Sequence, residues 1–252
     1  MGQVPKSPKY LIVGSGRLAR HLHFYFQSLE VPHWQWARKP LREFNTLNID
    51  DFPYEGDRLT HSLEQVDHVL LAISDQALVS WASQQHFGEK VVVHFSGSLT
   101  LPNMVTLHPL MTFGPELYEK ELYPQIPFVY VSESTSFDQV FPELPNPSFP
   151  LEEKNFALYH ALCVISGNFP TVLAQACFQE FEKYLGLPRE VLFPFLRVTM
   201  NNILTYSESA LTGPLARGDK QTIDKNLQAL SGNPLSDIYE SFLKFYKTTR
   251  PQ

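Results

Sequence analysis

A short apolar run that ends in two glycines constrains the fold of this chain more than any other feature. The segment YLIVGSGRLARHLHFYF runs from Tyr10 to Phe26, and Gly14 and Gly16 follow directly on the apolar residues. Three positions past Gly16 comes Ala19, and a helical pattern starts there. The segment therefore predicts a strand, a tight turn and a helix in immediate succession.

The turn between this strand and helix has the form that holds dinucleotide phosphates. Gly14 allows a tight turn off the strand, Gly16 lets phosphates approach the backbone closely, and the small Ala19 lets the helix pack on the strand. The free N–H groups and the dipole of the first helical turn favour an anion. The alternative interpretation is a purely structural turn. The predicted cofactor contacts are Gly14, Ser15, Gly16, Arg17 and Leu18.

Short apolar runs alternate with helical patterns up to about residue 152. Such alternation predicts a mostly parallel sheet covered by helices on both faces. The predicted strands are 9–13, 33–37, 68–72, 91–94, 104–107 and 128–131. The stretch FPELPNPSFP, residues 141–150, contains four prolines, so it allows at most an edge strand and marks the passage between two domains.

The remainder of the chain shows helical patterns alone. We predict helices at 155–185, at 189–211 with an interruption at Pro194, at 219–230, and from a cap at Asn233 to near the end. The predicted fold class is therefore α/β: a Rossmann-type, mostly parallel sheet domain at 1–152, followed by an all-α domain at 153–252.

The end of the second predicted strand indicates which dinucleotide is bound. An NAD site usually places an acidic residue there, on the ribose 2′-hydroxyl. This chain reads WQWARKP and offers Ala37, Arg38 and Lys39, with no carboxylate. Two cations suit a 2′-phosphate, so we predict NADP(H) as the cofactor, with Arg38 and Lys39 as contacts. The alternative is two solvated cations on a loop.

Residues behind the next two strands are further candidates for the ligand crevice, because loops at the carboxyl ends of parallel strands line it. Ile73 and Ser74 follow the third predicted strand, and Ser96 and Gly97 follow the fourth. We predict that these four border the cofactor, with Ser96 and Gly97 near the nicotinamide. Ordinary turn chemistry is the alternative.

His108 is a candidate catalytic residue behind the fifth strand. Pro109 fixes the chain next to it, so the direction of the imidazole is well defined. A histidine there could bind a substrate carboxyl group or donate a proton. A purely structural histidine is the alternative.

A proline inside the long helix marks a further candidate. Pro170 cannot donate to the carbonyl of Ser166, which predicts a kink, and Asn168 lies in the same turn as a possible substrate or nicotinamide contact. Arg217, in the loop TGPLARGD, could clamp a substrate carboxylate. Asp219 in that loop is expected to cap the next helix.

Composition narrows the function classes. The net charge is −6 and the pI about 5.8, which argues against nucleic acid and against an anionic membrane surface. We expect no signal peptide and no stretch of membrane-spanning length. Cys163 and Cys177 are expected to be reduced core thiols in a cytoplasmic protein. No spacing of histidines or cysteines predicts a metal site.

Several stretches together resemble a family of Rossmann-like proteins of unknown function. These stretches are IVGSGRLARHL, HFSGSL, LHPLMTFGP, LYHALCVISGNF and LTGPLARGD. Proteins of this family join an NADP-binding domain to a helical domain of the 6-phosphogluconate dehydrogenase C-terminal type. Pyrroline-5-carboxylate reductase, deazaflavin-dependent NADP oxidoreductase and prephenate dehydrogenase are related. The resemblance implies an NADP oxidoreductase without an established substrate, and a homodimer built through the helical domain.

The resemblance also bears on catalysis. Related hydroxyacid dehydrogenases carry a catalytic lysine one turn before an asparagine like Asn168, but this chain has Val164 there. His160, a further turn back, is expected to be a packed helix residue. Our first hypothesis is an NADPH-dependent reductase of a small carbonyl or imine, with hydride transfer in the interdomain cleft. The second is a non-catalytic protein that binds or senses NADP(H).

Overall fold

Seven strands lie in the part of the chain that the computed structural model describes, residues 8–38 and 58–249. They are β1 (Tyr10–Val13), β2 (His33–Trp36), β3 (His68–Leu71), β4 (Val91–His94), β5 (Val105–Pro109), β6 (Phe128–Val131) and β7 (Ser148–Leu151). They form one sheet in the order β2-β1-β3-β4-β5-β6-β7. Every neighbouring pair is parallel except β5 and β6. The predicted α/β class is confirmed.

Helices connect the strands on both faces of the sheet. They are α1 (Arg17–Ser28), α2 (Arg58–Glu64), α3 (Asp75–Ala82) and α4 (Phe137–Val140). The central strands are largely apolar because alternate side chains enter two different cores. In β1, Tyr10 and Ile12 belong to the core that contains residues of α1, whereas Leu11 and Val13 belong to the core that contains residues of α3. All four side chains are buried.

The proline-rich stretch contributes the outermost strand. β7 pairs in parallel with β6 alone, and Pro150 lies opposite Tyr130 in that register. An edge position tolerates the missing N–H of a proline, since one side of the strand makes no ladder. The expectation of an edge strand at most therefore agrees with the structure.

Beyond β7 every described element is helical. The α-helices are α5 (Phe156–Cys163), α6 (Phe169–Leu185), α7 (Phe193–Tyr206), α8 (Gly213–Arg217), α9 (Lys220–Ala229) and α10 (Leu235–Thr249). The chain divides into two compact units, Met1–Thr171 and Val172–Gln252. The change from strands to helices follows β7, and the functional domain boundary at 152 stays a prediction.

The ends of these helices follow the predicted signals, with one exception. Gly186 after α6 has a φ of +62°, and the Asp219 carboxylate accepts a hydrogen bond of 3.0 Å from the backbone N–H of Thr222 as the cap of α9. The exception is Pro194. It does not interrupt a helix but lies in the first turn of α7, where its missing N–H has no intrahelical partner to lose.

One helical run corrects an expectation from the sequence. Glu153–Leu185 spans 33 residues and contains an 18-residue window with a mean hydropathy of 1.4, so by length and composition alone it could cross a membrane. The sequence had suggested no such stretch because glycine, serine, asparagine and proline interrupt the apolar residues. A core helix of a water-soluble protein meets the same criteria, yet no residue of that 18-residue window is buried.

Candidate functional site

The glycine turn after β1 lies at the point of the sheet where the strand order reverses. β1 has β2 on one side and β3 on the other, which makes this the topological switch point of the sheet. Gly14 has a φ of +137°, and a Cβ at that position would lie 2.3 Å from the carbonyl oxygen of Ala72 behind β3. Only glycine fits this close approach of two backbones.

Hydrogen bonds from β2 fix the other side of the turn. The backbone N–H of Gly14 donates to the carbonyl of Trp36 over 2.8 Å. The side-chain amide of Gln35 donates to the carbonyl of Gly14 over 2.9 Å. The turn is therefore held on both sides before any ligand binds.

Gly16 lies at the start of helix α1 and not within the tight turn. It is the N-cap of α1, has an ordinary φ of −73° and offers no side-chain cap. A Cβ on Gly16 would meet nothing within 4 Å, so the space in front of the helix is open. The first N–H groups of a helix have no intrahelical partners, and an uncapped N-terminus presents them to an anion. Ser15 and Arg17 are exposed there, and Leu18 packs against the core.

The two predicted cations follow β2. Ala37 is buried and turns the chain, and Arg38 behind it is exposed at the same edge of the sheet as the glycine turn. Lys39 lies outside the described residues. Arg38 therefore follows β2 at this edge of the sheet, and its contact with a 2′-phosphate stays a prediction.

The loops after β3 and β4 are tied together by one carboxylate. Asp75, in the first turn of α3, accepts hydrogen bonds from the hydroxyls of Ser96 (2.8 Å) and Ser98 (2.7 Å). The Ser96 oxygen also accepts the backbone N–H groups of Ser98 and Leu99. The hydroxyl of Ser96 is thus fully engaged within the protein, and its structural part is to hold the loop that carries Gly97.

Of the other two predicted contacts on this edge, Ser74 is exposed as the N-cap of α3 but makes no side-chain cap. Ile73 is half-buried and packs against the second core. Both follow β3 on the side of the glycine turn, because Ala72 connects them to Gly14.

Two imidazoles from distant parts of the chain meet at Gly97, and a tyrosine hydroxyl contacts one of them. His108 belongs to β5 itself, which ends two residues later than predicted. Its Nδ1 lies 2.7 Å from the hydroxyl of Tyr159, on α5. A Cβ on Gly97 would lie 2.8 Å from His108 Nε2 and 2.4 Å from His160 Cδ2, so both imidazoles pack on the bare backbone of Gly97. We call Gly97, His108, Tyr159 and His160 the histidine cluster.

Burial controls the charge of this cluster. Burial and, to a smaller extent, the nearby His160 lower the pKa of His108 to about 4, and Asp75 partly opposes the shift. Burial, together with the neighbouring thiol of Cys163, raises the pKa of Tyr159. His108 is therefore a neutral imidazole near pH 7, able to donate one hydrogen bond and accept another.

The predicted kink coincides with a change of helix type. Residues Val164–Asn168 form a π-helical turn between α5 and α6, and the N–H of Phe169 donates to the carbonyl of Val164. Such turns are frequent at functional sites. Asn168 is exposed on it, as is Arg217 at the end of α8 in the second compact unit. The described contacts do not bring either residue to the histidine cluster.

Sequence reasoning missed two members of this arrangement and undervalued a third. Tyr159 and Asp75 had no assigned role, and His160 was expected to be a packed helix residue. Tyr159 and His108 are 51 positions apart, so no local pattern could pair them.

Within the described residues no group of three or more histidine, cysteine, aspartate or glutamate side chains could hold a metal ion.

Part of the chain matches a known domain family. Residues 133–245 match the model of a domain of unknown function (DUF2520). That segment includes β7, Tyr159 and His160, and most of the helices. No curated protein matches the sequence significantly.

Solved structures with the same fold cover nearly the whole chain. A Bacteroides fragilis protein provisionally described as an NADP oxidoreductase is 18% identical, with a TM-score of 0.70 over 95% of this chain and 98% of that one. A Streptococcus pyogenes 1-pyrroline-5-carboxylate reductase is 15% identical, with 0.58 over 96% and 97%. An Aspergillus terreus reductive aminase in complex with NADPH and ethyl levulinate is 13% identical, with 0.61 over 96% and 93%. The fold is that of Rossmann-type reductases, and the expected resemblance is confirmed.

The two glycines of the turn should respond differently to substitution. We expect Gly14→Ala to lower the free energy of unfolding by more than about 2 kcal/mol, because the new methyl group meets the Ala72 carbonyl at a positive φ. Gly16→Ala is the matched control, with a change within about 1 kcal/mol. Urea unfolding followed by tryptophan fluorescence measures both. Equal stabilities of the two variants would contradict the close approach.

Proposed function

We propose that this chain is an NADP(H)-dependent oxidoreductase that reduces a small carbonyl or imine substrate. The observation that carries the proposal is the uncapped N-terminus of α1, which opens on free space at the switch point of the sheet. Ligands of open α/β sheets bind at that point, outside the carboxyl ends of the strands. The solved proteins with this fold that are named above support the assignment, because they include a 1-pyrroline-5-carboxylate reductase and an NADPH-bound reductive aminase.

The residues around the turn fit a dinucleotide. The pyrophosphate would lie against the N–H groups of the first turn of α1, in the space that Gly16 leaves empty. Ser15 and Arg17 are exposed beside it and can donate further hydrogen bonds. When bound, the cofactor supplies the hydride.

Charge at the end of β2 favours the phosphorylated cofactor. Arg38 is exposed at that strand end, and no carboxylate occupies the position that would hold a ribose 2′-hydroxyl in an NAD site. A guanidinium suits a 2′-phosphate because it can bind two oxygens at once. Lys39 would add a second cation.

The substrate would lie near the histidine cluster. The loop at Gly97 follows β4, and His108 ends β5, so both lie at the carboxyl edge where the nicotinamide is expected. Neutral His108 can donate a hydrogen bond to an oxygen of the substrate. Asn168, which can donate and accept, and Arg217, which suits a carboxylate, are the further substrate contacts that we propose.

One observation supports a second candidate function. The related hydroxyacid dehydrogenases that the sequence resembles have a lysine where this chain has Val164, so their proton donor is missing. A non-catalytic protein that binds or senses NADP(H) would share the cofactor site without turnover. Oxidation of NADPH in the presence of keto acids, imines or a deazaflavin distinguishes the two functions.

The apolar surface of the long helix favours a homodimer. We propose the cytoplasm as the location of the protein. Four side chains at helical spacing form an apolar stripe, and each is more than half exposed: Leu158, Leu162, Ile165 and Phe169. Contiguous apolar surface of this kind is typical of an interface between proteins. A second copy that covers the stripe would also explain the membrane-like composition of Glu153–Leu185.

Cofactor binding should depend on the empty space at Gly16. We expect Gly16→Val to abolish NADPH binding, because a branched side chain would occupy the path of the pyrophosphate. Titration by intrinsic fluorescence measures binding, and circular dichroism verifies the fold. Undiminished NADPH binding by a folded Gly16→Val protein would show that the turn is structural only.

Cofactor choice should depend on Arg38. We expect NADPH to bind more tightly than NADH, and Arg38→Ala to weaken NADPH binding about three- to tenfold with little effect on NADH. Arg189→Ala, which removes an exposed arginine paired with Glu182 in the second unit, is the matched control. Equal affinities of the unmodified protein for the two cofactors would refute the preference.

Assembly should depend on the apolar stripe. We expect light scattering to give twice the chain mass of 28.9 kDa, and Leu162→Glu with Ile165→Glu to give monomers, because charges would be buried in the interface. Val79→Glu changes an equally exposed apolar residue on α3 and should leave the dimer intact. A 28.9 kDa species of the unmodified protein at micromolar concentration would refute the dimer.

A further inference from the structure

The contact between Tyr159 and His108 selects one of two forms of the imidazole. A neutral histidine carries its proton on one ring nitrogen and leaves the other as an acceptor. The Tyr159 hydroxyl lies 2.7 Å from Nδ1. A phenol is the better donor of the pair and a bare imidazole nitrogen the better acceptor, so the hydroxyl donates to Nδ1 and the proton of His108 lies on Nε2.

The other ring nitrogen remains available. Nε2 of His108 packs against Gly97 and makes no hydrogen bond to any described residue. Because Nε2 has no partner and is not fully buried, part of its surface is exposed. A side chain at position 97 would displace both His108 and His160, and the glycine therefore keeps this nitrogen uncovered.

We propose that Tyr159 is a positioning residue, which holds His108 as the neutral Nε2–H tautomer and so presents an N–H donor to a carbonyl or carboxylate oxygen of the substrate. The substrate part of this inference rests on the proposed function, whereas the tautomer does not. The donor stabilises negative charge on the oxygen through a hydrogen bond, and the proton stays on Nε2.

The surroundings of the ring keep it neutral. Burial is the largest cause of the low pKa of His108, about 4, and His160 on α5 acts in the same direction. Asp75 on α3 opposes them. Tyr159 and the Cys163 thiol beside it, both on α5, complete the titratable groups that face the ring. Near pH 7 His108 is therefore neutral, and one of its ring nitrogens is a bare acceptor to which the hydroxyl can donate.

Nitrogen NMR of the ligand-free, full-length protein tests the tautomer. The His108 signals are assigned by their loss in His108→Gln. We expect a protonated Nε2 and an acceptor-type Nδ1 at pH 7, and a mixture of both tautomers in Tyr159→Phe. Tyr130→Phe, which alters a half-buried tyrosine of β6, is the control and should change nothing. A protonated Nδ1 in the unmodified protein, or an unchanged tautomer in Tyr159→Phe, would overturn the inference.

Titration of the same samples separates positioning from a merely structural contact. Donation by Tyr159 favours neutral His108, so its removal should raise the pKa of His108 by about 0.5 to 1 unit. An unchanged or lowered pKa would mean that the ring donates to the hydroxyl, and the inference fails.

Pyruvate, which carries both a ketone and a carboxylate, tests the donor role in the presence of NADPH. We expect it to shift the Nε2–H signal of the unmodified protein and to do so less in Tyr159→Phe. A signal that does not move overturns the assignment of an oxygen acceptor. Absent NADPH binding with an intact tautomer would overturn the proposed function alone, whereas a lost tautomer with intact NADPH binding would overturn this inference alone.

Discussion

The carbonyl oxygen of Ala72 lies where the Cβ of any residue other than glycine at position 14 would have to be. This close approach exists because β1 is flanked by β2 and β3, so the turn behind β1 runs directly past the end of its neighbour. It sets the direction in which the chain leaves β1 and so the position of the first turn of α1. The open space at Gly16 is a consequence of that direction, and the proposed cofactor site depends on it.

Hydrogen bonds between polar side chains of two loops give the rest of this edge its shape. Asp75 binds two serine hydroxyls of the loop behind β4, and that loop brings Gly97 under two imidazoles. Because each group has a partner within the fold, little reorganisation is required when a ligand arrives. The same burial that fixes His108 also keeps it neutral, so it offers a directed N–H and not a positive charge.

Local signals made part of this structure predictable. The glycine turn, the cap at Asp219 and the left-handed Gly186 each follow from a few adjacent residues, and the structure has all three. Pro194 was misread because a proline in a first turn and one inside a helix differ only in where the helix begins. His108 and Tyr159 are 51 positions apart in the sequence, and they meet only because the fold brings α5 next to β5. No local sequence pattern could predict this contact.

The helices behind β7 leave large apolar side chains exposed, and the homodimer that we propose would cover them. No described residue of α6, α7, α8, α9 or α10 is buried, although these helices contain many large apolar side chains. Burial of apolar surface supplies most of the favourable free energy of folding, and a unit of this size has little stability without it. The side chains are therefore arranged for a cover that one chain does not provide. α9 and α10 are amphipathic, with charged side chains on one face and apolar ones on the other. A second chain that covered the apolar faces would leave the charged faces in water, which is the arrangement that the proposed homodimer requires.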